Sequence, residues 1–303
     1  MTSIDVETLL TIIYVLVDDW YQTKGQRYMQ GKVGRKPTFS DSEVITLMIA
    51  QDYIPYPAER QFIGYMRSNH LAVFPSLLSQ SQFNRRARQL RYLVEAMRRT
   101  WLAELEVLED EYYLMDTKPI PVMGYKRNKS RSDFLESADY GYCVSRRLFY
   151  FGYKLVMITT LDGIPIVYDL VAANTDERQA IETLLEVLNG VILIGDKGFI
   201  GKDWQAQVED ETHNVVWTPT RKNQHQQQDK QFEKWLNQTR ERIEGVFHEL
   251  QNTGRFLERL LAKTVHGLAT RLIAKVTSHL VRSRLQSEYH IDVQSFLATS
   301  NEF

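Results

Sequence analysis

Cysteine is almost absent. Cys143 is the only one in 303 residues, which excludes a disulfide framework, a C-x-x-C redox pair and a cysteine-rich zinc site. A reducing, cytoplasmic setting is the expectation. Long apolar runs are missing too: the longest early one, Leu9 to Val17, is too short to span a bilayer, and Asp5 and Glu7 stand where a secretory leader would carry positive charge. It reads as a core-facing helix, with no membrane partner. Nor does one sign of charge dominate, since 37 Lys and Arg against 38 Asp and Glu leave a net charge of −1. Any polyanion must therefore be met by a local cluster of cations. The seven histidines show no zinc-ligand spacing, and neither G-x-S-x-G nor H-E-x-x-H occurs.

With 43% hydrophobic and 25% charged residues, the chain is an ordinary globular protein of one large or two smaller domains. Its first hundred residues read as helices. Ile4 to Trp20 has helical apolar recurrence and ends in the polar, glycine-containing stretch TKGQRYMQGKVGRKP, a loop. Ser40 with Glu43 forms a capping box ahead of Val44 to Ile49; Arg60 to Arg67 and Ser81 to Leu105 continue the pattern. Within the last, the stretch QSQFNRRARQLRYLVEAMRRTW carries Arg85, Arg86, Arg88, Arg91, Arg98 and Arg99 with Glu95 as its only acid. Such a helix suits DNA phosphate contacts, or is simply a solvated basic face.

From Glu111 the texture changes to strands. EYYLMDTKPIP, LFYFGYKLVMITTL (148–161) and IPIVYDLVAA (from Ile164) are rich in aromatic and β-branched residues, and Asp162-Gly163 between the last two is a hairpin signal. A helix from Asp176 to Leu188, a strand Val191 to Ile194, a helix from near Phe199, a strand Val215 to Trp217 and a long helix from about Lys230 to Leu250 follow. The order β-β-β-α-β-α-β-α predicts an α+β, ribonuclease H-like mixed sheet with flanking helices, preceded by an all-helical region; other α+β folds permit the same order. Between the first two strands lies a polar excursion, Gly124 to Arg147, with Lys126, Arg127, Lys129, Arg131, Arg146 and Arg147. Asn223 to Gln228 (NQHQQQ) reads as an exposed loop. After Gly254 an amphipathic helix, Phe256 to Leu285, precedes a loose tail. The expected domains are 1–108, helical and DNA-binding; 109–285, catalytic with a C-terminal helix; and 286–303, the tail.

Three carboxylates stand out. Asp116 interrupts the apolar frame of the first strand, where a carboxylate is costly to desolvate unless a cation meets it; the plain alternative is an Asp before the Pro119 turn. Asp196 directly follows the strand VILIG, at a rigid yet accessible strand end, or opens an Asp-Lys-Gly turn. On the long helix, Phe232, Leu236, Ile243, Phe247 and Leu250 define the buried stripe, and at 100° per residue Glu244 falls on its edge beside Asn237, Arg240 and Gln251. A lone helical Glu is commonly just solvated. Two strand-end aspartates and one helical glutamate in this order could hold a pair of Mg²⁺ ions, or Mn²⁺ as substitute.

The D-T-K-P-I strand at Asp116, the I-G-D-K-G-F turn at Asp196 and the R-x-R-I-E-x-x-F helix at Glu244 resemble the DDE transposases of bacterial insertion sequences, most closely the insertion sequence 982 family. The resemblance covers about residues 110 to 284. It departs from the broader group's last-helix signature at Asn237 and Gln251, where Tyr and Lys are usual, and keeps Arg240 and Glu244. The resemblance implies a cytoplasmic, nucleoid-associated bacterial enzyme acting as a homodimer on double-stranded DNA. In it Asp116, Asp196 and Glu244 would bind two Mg²⁺ ions, cut transposon ends and join the 3′-hydroxyl to target DNA. Lys197 and Arg240 would help to reverse the local charge, with Arg85, Arg86, Arg88, Arg91, Lys126, Arg127 and Lys129 as DNA contacts. A ribonuclease H-like nuclease without strand transfer, or a decayed DNA-binding protein, are the alternatives.

Overall fold

The computed structural model describes residues 4–29, 37–54, 56–127, 129–144, 146–220 and 228–293. The chain forms two compact units, one of residues 1–101 with 250–303 and one of residues 102–249.

In the helical unit, α1 (Val6–Thr23) is capped by Asp5, whose Oδ1 accepts from Thr8 N at 2.7 Å, and buries Leu9, Leu10, Ile13, Val17 and Trp20. The capping box forms at α2 (Asp41–Ala50), with Ser40 and Glu43 each accepting the other's backbone N–H. Because α2 is apolar nearly all round, it is buried from Val44 to Ala50 and runs through the core. Packed with it are α3 (Glu59–Asn69), α4 (Gln80–Glu104) and the C-terminal α8 (Val265–Tyr289).

The grouping of α8 differs from the sequence expectation of a catalytic domain running to residue 285. Asp52, just past α2, is buried and holds buried Lys275 of α8 at 3.0 Å. The Lys275 ammonium also donates to the Thr253 carbonyl and hydroxyl, each at 3.0 Å. Arg255 donates Nη2 to Met48 O at 2.9 Å, and the Tyr53 hydroxyl donates to Ser278 O. Two buried charges are tolerated only when paired and hydrogen-bonded, so this network ties the chain's two ends into one core. The expected tail also begins later than residue 286: α8 continues to Tyr289, and Ile291 and Val293 are buried. Residues 294–303, residues 30–36 of the predicted loop after Trp20, and the NQHQQ stretch lie outside the described residues.

The second unit is built on one mixed sheet of β1 (Tyr112–Met123), β2 (Asp139–Cys143), β3 (Leu148–Thr160), β4 (Pro165–Ala172), β5 (Ile192–Ile194) and β6 (Val215–Trp217). The spatial order is β2-β3-β1-β5-β6, with β4 sharing the outer edge of β3 with β2. β1, β3 and β4 form the expected antiparallel meander, turning at Gly163 with φ +85°. α5 (Glu177–Leu185) and α6 (Lys202–Thr212) make the crossovers that bring β5 and β6 in parallel to β1. This is the ribonuclease H-like arrangement, and β2 is its one unexpected strand, lying inside the basic excursion. The long helix α7 (Lys230–Asn252) begins against the sheet through Trp235, which meets Tyr112 and Trp217 at ring-centroid distances of 6.3 Å.

Candidate active site

The register of the sheet brings the two aspartates together. β1 and β5 pair in parallel as Tyr112 with Ile192, Tyr113 with Leu193 and Leu114 with Ile194. Two residues beyond the last pair on each strand stand Asp116 and Asp196, which therefore leave the same face of adjacent strands at a spacing of about 5 Å. Asp196 caps the short 3₁₀ turn Lys197–Phe199, its Oδ1 accepting from Gly198 N at 2.6 Å. Asp116 Oδ1 accepts from Thr117 N at 2.7 Å.

The price of this placement shows in the Asp116 carboxyl, which is pushed up to about 7, chiefly by burial and further by the charges of Asp196 and Glu177; Arg240 works the other way. Glu177 is the residue that sequence reasoning missed. It opens α5 behind the Asp176 N-cap, and its Oε1 accepts from Thr117 Oγ1 at 3.2 Å. A Cβ on Gly198 would collide with the Glu177 carboxylate and lie 2.9 Å from Asp196 Oδ1, so the glycine gives both acids room. Burial and the Asp196 charge raise the Glu177 carboxyl, while Lys154 offsets part of that. An acid in the first helical turn, directly after an Asp N-cap, was the available signal.

Glu244 stands differently. It is 58% exposed and pairs with Arg240 at 3.1 Å, one turn earlier on α7. Two contacts fix how α7 runs along β1: Trp235 meets Tyr112, and Phe247 lies under the Lys118 ammonium at 5.9 Å. The helical carboxylate is turned to solvent and held by Arg240.

Among the described residues no three His, Cys, Asp or Glu side chains are gathered as a ready metal site. The donor chemistry nevertheless fits a hard divalent cation, because Asp116 and Asp196 present only carboxylate oxygens and the charge of Asp196 opposes ionisation of Asp116 until a cation joins them. Glu244 would have to exchange Arg240 for that cation.

The other expected contacts divide. Arg85, Lys126, Arg127 and Lys197 are exposed. Arg86 instead pairs with Asp41 and donates to Phe39 O, and Arg91 folds back onto the Arg88 carbonyl at 3.0 Å and over the Tyr92 ring at 4.1 Å. Arg88 is half-buried. Lys129 is buried, its ammonium donating to the carbonyls of Tyr125 at 2.5 Å and Arg127 at 2.7 Å. For Arg86 and Lys129 the expectation of a DNA contact gives way to a structural one, since a guanidinium or ammonium already bound to backbone oxygens is not offered to phosphate.

Residues 108–259 match the family described as Transposase DDE domain. Neither a search of curated proteins nor one of solved structures returned a match. No helix among the described residues is long and apolar enough to cross a membrane.

Proposed function

The chain belongs to the Transposase DDE domain family, and we propose that it is an insertion-sequence transposase that cuts DNA at transposon ends and joins the freed 3′-hydroxyl to target DNA. From the motifs around Asp116, Asp196 and Glu244 we further infer a likeness to the insertion sequence 982 family. The observation that carries the reading is the parallel pairing of β1 with β5, which sets Asp116 and Asp196 each two residues beyond the last pair, where the charge of Asp196 is felt by Asp116.

Asp116, Asp196 and Glu244 would hold two Mg²⁺ ions, with Mn²⁺ as substitute. When bound, such ions activate the attacking oxygen and stabilise the leaving one. The chain's own residues do the rest. β1 and the Asp196 turn fix two carboxylates on a rigid sheet. Near neutral pH without a cation, the Asp116 carboxyl keeps a share of its proton, chiefly because it is buried and further because its neighbours Asp196 and Glu177 oppose its charge. Arg240 favours the ionised form of Asp116 and occupies Glu244, so it stands in for positive charge in the free protein. Exposed Lys197 beside Asp196 is placed to meet a phosphate. A homodimer on double-stranded DNA, in a bacterial cytoplasm, completes the proposal.

The test is incubation of the protein with Mn²⁺ and DNA flanking its own gene, scoring both cleavage and joining to a second DNA. Discrete cuts with joined products are expected; cuts without joining would make it a nuclease. Glu244→Gln should bind this DNA without cutting it. Loss of folding in that variant would make Glu244 structural instead.

A further inference from the structure

The basic excursion carries a surface that the proposed chemistry does not use. β2 and β3 pair as Tyr140 with Phe151 and Tyr142 with Phe149, which puts these four rings on one face of a two-stranded ribbon. Ring centroids lie 5.1 Å apart in the first pair and 4.5 Å in the second. Tyr125, from the loop after β1, joins them at 5.3 Å from Tyr140 and 5.8 Å from Phe149. Phe151 is buried, but Tyr125, Tyr140, Tyr142 and Phe149 are between 44% and 57% exposed. Rings this large are not left in water as a contiguous group without reason.

The platform is also built. The buried Lys129 ammonium holds the loop by its carbonyls and sits 4.9 Å from the Tyr140 ring and 5.0 Å from that of Phe151. It locks Tyr125 beside the ribbon. Next to these rings in sequence, Lys126 and Arg127 follow Tyr125 and Arg147 precedes β3, and all three cations are exposed. Exposed aromatic faces bordered by cations are what unpaired nucleotides require, since every base has a face to stack and every phosphate a charge to meet. A protein partner would need no such border.

We propose that the aromatic face of the β2–β3 ribbon binds unpaired bases of the DNA being processed, a role that rests on the transposase reading. β1 links this face to the chemistry. From Asp116 to Met123, at the ribbon end of the strand, is about 23 Å. Duplex DNA covers that distance in about seven base pairs at about 3.4 Å each. The ribbon would hold a strand displaced about that far from the scissile phosphate.

The experiment measures binding of the full chain, in EDTA, to a duplex with a twelve-nucleotide oligo(dT) overhang and to the same duplex with blunt ends. Wild type should prefer the overhang by about tenfold or more, as stacking on one or two rings provides. The ratio should fall towards one in Tyr142→Ala/Phe149→Ala and persist in Phe149→Trp, whose added indole fluorescence should be quenched by the overhang. Equal wild-type affinity for both DNAs overturns the ribbon proposal and leaves the transposase reading standing. Failure to bind either DNA overturns both. An unchanged ratio in the double variant, with a change in oligomeric state, would instead make the face an interface between copies.

Discussion

Replacing Asp116 with Asn should stabilise the protein at alkaline pH while destroying its proposed activity. The carboxyl titrates at about 7 in the fold, against an ordinary 3.8, so folding takes up a proton at this group between those two values. Its contribution to stability is fully present below 3.8 and lost as pH rises through about 7. The difference of about three units sets a ceiling of about 4 kcal/mol. Because the side chain is half-buried and its acidic neighbours can relax, about 1 to 2 kcal/mol is the working expectation. For a chain of this size that corresponds to about 2–3 °C in Tm. The assay is thermal unfolding in EDTA at pH 5 and pH 8. At pH 5 the folded carboxyl is still mostly protonated and nearly isosteric with Asn, but its unfolded counterpart is already ionised, so about a third of the contribution is gone and the variant should melt only slightly higher; at pH 8 the gap should be about two to three times larger. A variant that melts lower at pH 8, or is shifted equally at both pH values, would refute the claim that Asp116 is a carboxylate held against its own charge.

Lys275→Ala should cost about 3 to 5 kcal/mol by leaving Asp52 buried and unpaired, and chemical denaturation should show much of this recovered in Lys275→Met/Asp52→Leu. Gly198→Ala should cost about 1 to 3 kcal/mol through collision with the Glu177 carboxylate, and a double-mutant cycle with Glu177→Ala should reveal the relief. Arg85→Ala should leave Tm unchanged and reduce the salt dependence of DNA binding by about one unit of slope. Arg86→Ala, by contrast, should lower Tm, because it strips Asp41 and the Phe39 carbonyl of their partner. An Arg86→Ala protein with normal Tm but a reduced salt slope would return that residue to the DNA surface.

Where the physics is local, the sequence already carried it. The Ser40–Glu43 capping box, the Asp162-Gly163 hairpin and the aromatic, β-branched strands around it need only near neighbours, and each forms where expected. Asp116 and Asp196 were legible for a related reason, since an acid beside an apolar strand run marks a position the fold holds rigidly. Non-local features were not legible. β2 is five residues long, and its Tyr-x-Tyr alternation was hidden among lysines and arginines. The membership of α8 in the helical unit depends on Asp52 meeting Lys275 across more than two hundred residues, and no periodicity encodes that pair. Arg86 and Lys129 have the composition of DNA contacts, but their partners Asp41 and the loop carbonyls come from the fold. Glu177 reaches the aspartates only because α5 begins beside the Asp196 turn.

The central claim is that Asp116 and Asp196 form a cation-dependent site for cutting DNA. The most direct measurement is Mn²⁺-dependent cleavage of the DNA flanking this protein's own gene by wild type and by Asp196→Asn, with DNA binding and Tm recorded for both. Wild type should cut at discrete positions, and the variant should fold and bind without cutting. Cleavage by Asp196→Asn at the wild-type rate would contradict the account, as would cleavage by wild type that persists in EDTA.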